Sequence, residues 1–204
     1  CGTPLPGYEV EVRDHDGRKL PERHVGTIHV RAASIMSGYF GDLKLTREVL
    51  SPDGWFNTGD LGYFVKNGLF ITGREKDMII INGRNIWPQD LEYLAEHQPE
   101  VRIGDALAFS VPNPKGDEIC VLVVQCRESD PVKRTSLIDR LNRLVHMELG
   151  IDVFVELVPL HTLPRTSSGK LSRSKARQNF IQSHDLARLS EQMVDELELK
   201  QGSV

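Results

Sequence analysis

An α+β fold in two modules is what this sequence predicts, and three observations carry it. Short runs of alternating apolar and polar residues fill the first third of the chain. A charged tetrapeptide, Arg74-Glu75-Lys76-Asp77, is followed at once by the apolar run Met78-Ile79-Ile80-Ile81. Beyond it, helices opened by proline alternate with strands. The expectation is a β-rich subdomain over 1–73, a small mixed α/β domain over 78–183 and a helical tail over 184–204. Residues 74–77 form the expected hinge, because a short polar link between two cores is where a rotation is absorbed.

The elements follow in order. In YEVEVRD, Tyr8, Val10 and Val12 face one way and Glu9, Glu11 and Arg13 the other, a period-2 strand pattern. DHDG (14–17) is a turn and TIHVRA (27–32) alternates again. A short helix is expected near 44–50, and SPDGW makes a further turn. GYFVKNGLFITG (62–73) reads as a hairpin around Asn67-Gly68. MIII (78–81) reads as a continuously apolar strand, with Asn82-Gly83 as the turn after it. Pro88 opens a helix to about His97, with Leu91, Leu94 and Ala95 on one face. DALAFSV and EICVLVVQC are strands separated by the Pro/Gly-rich PNPKGD. Asp130-Pro131 is an N-cap and first-turn pair, and the helix after it turns Leu137, Ile138, Leu141, Leu144 and Val145 inward and stops at Gly150. DVFVELV is another strand. A last amphipathic helix is marked by Leu186, Leu189, Met193 and Leu197.

Composition narrows the class. The chain has 204 residues, 39% hydrophobic and 26% charged, which is ordinary globular material. A formal net charge of −4 gives it no nucleic-acid character. Its three cysteines, Cys1, Cys120 and Cys126, are odd in number and irregularly spaced, which argues against a disulfide framework. On one strand Cys120 and Cys126 would stand about 20 Å apart at ~3.3 Å per residue, too far to bridge. A reducing cytoplasm fits. No apolar run of about 18 residues predicts a transmembrane helix, and no signal peptide or zinc-type Cys/His spacing is visible. The opening Cys-Gly-Thr-Pro, without a methionine, reads as the start of a fragment.

Two segments carry candidate chemistry. PRTSSGKLSR (164–173) looks like a phosphate-holding loop, yet Pro164 stands where the usual nucleotide-cradling pattern needs glycine, and Leu171 follows the lysine. Lys170 would therefore act as a point charge on a flexible loop. Arg165, Lys170, Arg173, Lys175 and Arg177 lie in a stretch without an acid, which suits either a phosphate-bearing ligand or a solubilising face. In WFNTGDLGYF (55–64), Asp60 sits in an expected glycine-flanked turn, where a carboxylate either caps its own backbone or suits the two hydroxyls of a ribose.

Three segments taken in order and spacing add a resemblance. Thr58-Gly59-Asp60, then Gly73-Arg74-Glu75-Lys76-Asp77 with its continuation through IIINGRNIWPQDLE, then Pro164 to Gly169-Lys170, resemble the C-terminal portion of the acyl-adenylate-forming (AMP-binding) enzymes. That superfamily holds acyl-CoA synthetases, luciferases, peptide-synthetase adenylation domains and fatty acyl-AMP ligases. Gly38-Tyr39-Phe40 resembles another of its segments, and the likeness runs to about residue 183. It implies an ATP-dependent ligase that activates a fatty or other carboxylic acid as acyl-AMP. Asp60 would bind the ribose hydroxyls, Arg74 the ribose and phosphate region, and Lys76 would be the hinge residue. Lys170 would be catalytic, bridging carboxylate and α-phosphate, while Gly83 would lie on the face lining the thiol tunnel. A cation between two approaching anions stabilises the charge that spreads in the transition state, which suits that role for Lys170.

The same resemblance implies ATP and Mg2+ as cofactors, the metal held mainly by phosphates and upstream residues. CoA or the phosphopantetheine of an acyl carrier protein is the implied acceptor. GREKDMIIINGRNIWPQDLE and LPRTSSGKLSRSKAR are most similar to fatty acyl-AMP ligases and their acyl-CoA synthetase relatives. Trp87 stands where that group usually has tyrosine and Ile86 at a histidine position, which leaves carrier protein and CoA both open, the carrier protein ahead. A non-catalytic homologue that only docks a carrier is the remaining alternative. The presence of Asp60, Arg74 and Lys170 together argues against it. The family's phosphate loop, adenine segment and acyl pocket have no counterpart here, so the chain alone is expected to be inactive.

Overall fold

The computed structural model describes residues 1–113, 116–189 and 191. The chain divides into two compact units, Cys1–Lys76 and Asp77–Val204.

The first unit is a four-stranded antiparallel sheet in the order β1-β2-β3-β4. Its strands are β1 (Glu9–Arg13), β2 (Gly26–Arg31), β3 (Phe56–Val65) and β4 (Gly68–Arg74). A short helix, α1 (Leu43–Val49), lies between β2 and β3, with the Asp42 carboxylate accepting the Leu45 N–H at its start. Val12, Ile28 and Trp55 are buried. The guanidinium groups of Arg13 and Arg31 lie 4.5 and 4.7 Å from the centre of the Trp55 ring, a cation–π arrangement that covers the indole.

The β3–β4 turn differs from the sequence reading. Its two central residues are Lys66 and Asn67, with φ of 47° and 65°, while Gly68 already pairs with Val65 as the first residue of β4. A two-residue hairpin turn needs positive φ at both centres. Asparagine tolerates it and here lysine takes the other position, so Asn67-Gly68 is offset by one from the true turn.

The second unit begins with a two-stranded hairpin, β5 (Ile79–Ile81) and β6 (Arg84–Ile86). Met78-Ile79-Ile80-Ile81 is therefore not a strand buried on both faces. Ile79 and Ile81 are buried, but Ile80 is exposed, because successive side chains alternate faces and only the face of Ile79 and Ile81 joins the core. Then come α2 (Pro88–Glu96), β7 (Ala106–Pro112), β8 (Glu118–Gln125), α3 (Pro131–Leu149), β9 (Phe154–Val158) and α4 (Arg173–Ser183). α3 opens on the Asp130 carboxylate, which accepts from the Val132 and Lys133 N–H groups, and closes on Gly150 in the left-handed region.

β7 and β8 are antiparallel, and β8 and β9 parallel, with α3 as the crossover. The strand faces alternate strictly. Ala106, Ala108, Cys120, Leu122 and Val124 join one cluster with Leu91, Ala95, Leu137, Leu141 and Val145 of α2 and α3. Leu107, Phe109, Val111, Val121 and Val123 join another with Ala176 and Phe180 of α4. Covering on both faces explains why Cys-Val-Leu-Val-Val reads as an unbroken apolar run. The sequence reading did not separate α4 as a helix, because it buries only Ala176 and Phe180 and has little amphipathic signal. Of the expected tail, Leu189 is buried and Leu186 partly buried against Phe180's cluster. Met193 and Leu197 lie outside the described residues.

Candidate functional site

In the first unit the structure brings Asp60 and Arg74 together. They are Cα partners across β3 and β4, and Arg74 Nε donates to Asp60 Oδ1 at 3.0 Å. Asp60 is thus in a strand rather than the expected free turn. The strand is bulged there: Thr27 pairs with Leu61 and His29 with Asn57, so Thr58, Gly59 and Asp60 all oppose Ile28. Gly59 takes φ +70°, a conformation side chains rarely adopt. Local bonds hold the bulge. Thr58 Oγ1 donates to Ile28 O and accepts from Asp60 N, and Gly59 N donates to Asn57 Oδ1. Bulges re-aim side chains, and this one turns the Asp60 carboxylate to Arg74. A second register shift leaves Thr72 unpaired between Gly73 and Ile71. Its buried Oγ1 has no hydrogen-bond partner among the described residues. The pair is more than an isolated surface bridge on one side only: the Asp60 side chain is 30% exposed and Arg74 67%. A carboxylate held by one oxygen keeps the other for hydroxyl donors.

Lys76 is exposed in a single 3-10 turn, Glu75–Asp77. Gly83 is the second residue of the β5–β6 turn, with φ +72° beside Asn82 at +52°. A Cβ added at Gly83 would meet nothing within 4 Å, so backbone conformation alone accounts for glycine there.

The Lys170 segment is a closed turn rather than an open flexible loop. Thr166 N donates to Lys170 O at 2.8 Å, Gly169 N to Thr166 O at 2.9 Å and Ser172 N to Pro164 O at 2.8 Å. Arg165 donates to Gly169 O within the turn and to Gly104 O outside it. Pro164, without an N–H, serves as an acceptor. The Lys170 side chain is exposed, and its ammonium has no partner among the described residues.

The basic stretch 165–177 is not a uniform phosphate face. Arg165 is used as above, and Arg177 Nε donates to Ser110 O at 2.7 Å. Arg173 is the most engaged: it donates to Asp77 Oδ2 and Glu92 Oε1, both at 2.6 Å, and to Ala108 O at 2.8 Å. Sequence reasoning missed this network because the acids lie 96 and 81 residues away. One signal was available. Arg173 opens α4 with no acid in the first turn, and a cation at the positive end of a helix is disfavoured unless a partner from elsewhere holds it.

Among the described residues no group of three or more His, Cys, Asp or Glu side chains could hold a metal ion, and no helix is long and apolar enough to cross a membrane. Glu156 on β9 has its carboxyl pushed above the usual range by burial, against a smaller opposing pull from His184. Burial pushes the Cys120 thiol up to about 12, so it is no nucleophile.

No family model matches the chain. Relatives do. A Caulobacter vibrioides protein that carries the name acyl-CoA synthetase is 47% identical over 182 residues, 89% of this chain and 32% of that protein. A medium-chain-fatty-acid–[acyl-carrier-protein] ligase of Moorena producens is 35% identical over 194 residues, covering 89% of this chain and 33% of the ligase. A solved structure from work on fatty acyl-adenylate ligases of E. coli and L. pneumophila superposes with a TM-score of 0.78 at 45% identity, covering 88% of this chain and 31% of that one. The chain belongs to the adenylate-forming enzymes, of which it matches the C-terminal portion. It spans about a third of the length of the relatives it matches.

Proposed function

We propose that this chain is the C-terminal part of an ATP-dependent ligase that activates a fatty or other carboxylic acid as acyl-AMP. The observation that carries the reading is the Asp60–Arg74 pair, on adjacent strands with the guanidinium 3.0 Å from the carboxylate. Asp60 would accept the vicinal hydroxyls of the ATP and acyl-AMP ribose. Arg74 would keep that carboxylate oriented, with its remaining N–H groups toward ribose and phosphate. Lys170 would place its ammonium between the attacking carboxylate and the α-phosphate, opposing the charge that develops as the two anions approach. Lys76 would be the hinge residue within 74–77, and Gly83 would lie on the face toward the acceptor thiol. Mg2+ would be held mainly by the ATP phosphates and by residues outside this chain. A reducing cytoplasm suits the free, buried Cys120 and Cys126.

The acceptor we propose is the phosphopantetheine of an acyl carrier protein, supported by the name of the Moorena relative, a fatty-acid–[acyl-carrier-protein] ligase. The second reading is transfer to CoA, favoured by the name of the 47% identical Caulobacter relative. Full-length enzyme given fatty acid and ATP, with CoA or with carrier protein, separates the two by which thioester forms. Lys170→Ala in that enzyme tests the reading itself. Removal of one pre-organised charge-stabilising group costs ~10²–10³ in rate, so ATP–pyrophosphate exchange falls by that much, while transfer from supplied acyl-AMP is spared. Equal losses in both half-reactions would assign Lys170 a structural role. Lys76→Pro, which locks φ and restricts Glu75, is expected to leave adenylation and cripple thioester formation. Normal rates in both would put the hinge elsewhere.

A further inference from the structure

The Arg173 network lies outside every role given above, yet it joins two of the proposed parts. Asp77 is the first residue of the second unit, immediately after Lys76. Arg173 is the first residue of α4, three positions after Lys170, and Ser172 N before it closes the Lys170 turn on Pro164 O. The Arg173 side chain is only 17% exposed, and its guanidinium meets three partners: Asp77 from the start of the unit, Glu92 from α2 and the Ala108 carbonyl from β7. Glu92 Oε1 also accepts the Ala108 N–H at 2.9 Å, so carboxylate, strand and guanidinium form a closed ring. A planar fork with fixed donor directions sets angles as well as distances.

We propose that Arg173 is a positioning residue that locks the point where the chain enters the second unit to the root of the Lys170 turn. The inference rests on the reading of Lys170 and Lys76 above. A hinge delivers a side chain accurately only if the segment between pivot and side chain is stiff. Lys76 and Lys170 are far apart in sequence, and the Arg173 cluster adds a direct tie between their surroundings to the stiffness that the packed core and the Arg165 and Leu163 bonds supply. Without Arg173, Asp77 and Glu92 lose the cation they share, and the Lys170 turn loses its direct tie to the pivot.

The test uses full-length enzyme and measures both half-reactions for Arg173→Gln, Asp77→Asn and Lys170→Ala. A misplacement of about 1 Å costs on the order of 10²-fold in rate, so acyl-AMP formation by Arg173→Gln is expected to fall by ~10–100-fold, with transfer from supplied acyl-AMP near the wild-type rate. Asp77→Asn removes the charge of the pivot-side arm alone, leaves the Glu92 and Ala108 contacts and is expected to show the same asymmetry in milder form. It keeps the inference open to refutation should Arg173→Gln fail to fold. Arg173→Lys keeps the charge but not the fork and is expected to rescue only partly. If Lys170→Ala cripples adenylation while Arg173→Gln and Asp77→Asn spare it, or lower both half-reactions equally, the positioning role is overturned. If Lys170→Ala itself spares adenylation, the underlying reading of the site has failed, and the inference falls with it.

Discussion

Gln125 offers a sharp test of how the Lys170 turn is anchored. Its side chain is 3% exposed at the end of β8. Its amide oxygen accepts the buried Leu163 N–H at 2.9 Å, and its amide nitrogen donates to Asp105 Oδ1 at 2.6 Å. Leu163 precedes Pro164, the start of the Lys170 turn. Gln125→Met keeps the volume and removes both bonds. The orphaned Leu163 N–H costs about 1–3 kcal/mol, the desolvation of a buried donor left unpaired. Asp105 is only partly buried and regains water, so its lost bond adds at most about 1 kcal/mol. The expected loss is therefore ~1–4 kcal/mol, read as a lower midpoint in urea denaturation at unchanged slope. Gln125→Glu refines the test. It keeps the acceptor for Leu163 but sets two carboxylates a hydrogen-bond length apart, which raises the pKa of one of them. A raised folded-state pKa gives stability present below the unfolded value and lost as pH rises through the folded one. Gln125→Glu is thus expected to approach wild type near pH 4 and to fall well below it at pH 7. A loss under about 0.5 kcal/mol for Gln125→Met, the range of ordinary surface changes, would refute the anchoring.

Three further outcomes are expected. Gly62→Ala in β3 puts a Cβ 2.3 Å from the Phe70 carbonyl oxygen and 2.9 Å from Ile28 Cδ1, and overpacking of this kind costs typically 1–3 kcal/mol, measured as loss of stability of the first unit; an unchanged melting curve would contradict the crowding. Glu100 is held by Arg140, whose Nη2 lies 2.7 Å from both carboxylate oxygens, and that bond keeps the Glu100 carboxyl below its usual range. A lowered folded pKa gives stability present above the unfolded value and lost as pH falls through the folded one, so Glu100→Gln is expected to cost about 1 kcal/mol at pH 7 and nothing once acid protonates the wild-type carboxyl. Glu156 has the opposite sign: burial raises its pKa, so its ionisation opposes folding as pH rises. Glu156→Gln is expected to leave stability unchanged at pH 4 and raise it at pH 7, and a lower melting temperature at pH 7 would mean that the His184 contact outweighs burial.

Local periodicity made much of this fold legible. β1 and β2 followed from alternation, and α2 and α3 from Pro88, Asp130-Pro131 and Gly150, because capping and strand faces depend on neighbours within a few residues. Asp60, Arg74 and Lys170 stood out only through the order of three short segments, since each alone reads as a turn or a surface charge. What tertiary structure decided was everything that depends on residues distant in the chain. Asp60 lies in a strand paired with β4, hidden in the sequence because a bulge against Ile28 breaks the period that would have revealed it. Ile80 is exposed because only one face of β5 packs on the core, a fact no apolar run can state. α4 shows no apolar stripe because a sheet face already built by β7 and β8 needs only Ala176 and Phe180 to cover it. Arg173 looked like solvated charge because Asp77 and Glu92 reach it only once the sheet has formed. Ion pairs and burial belong to the assembled core, and their partners are chosen by folding rather than by sequence proximity.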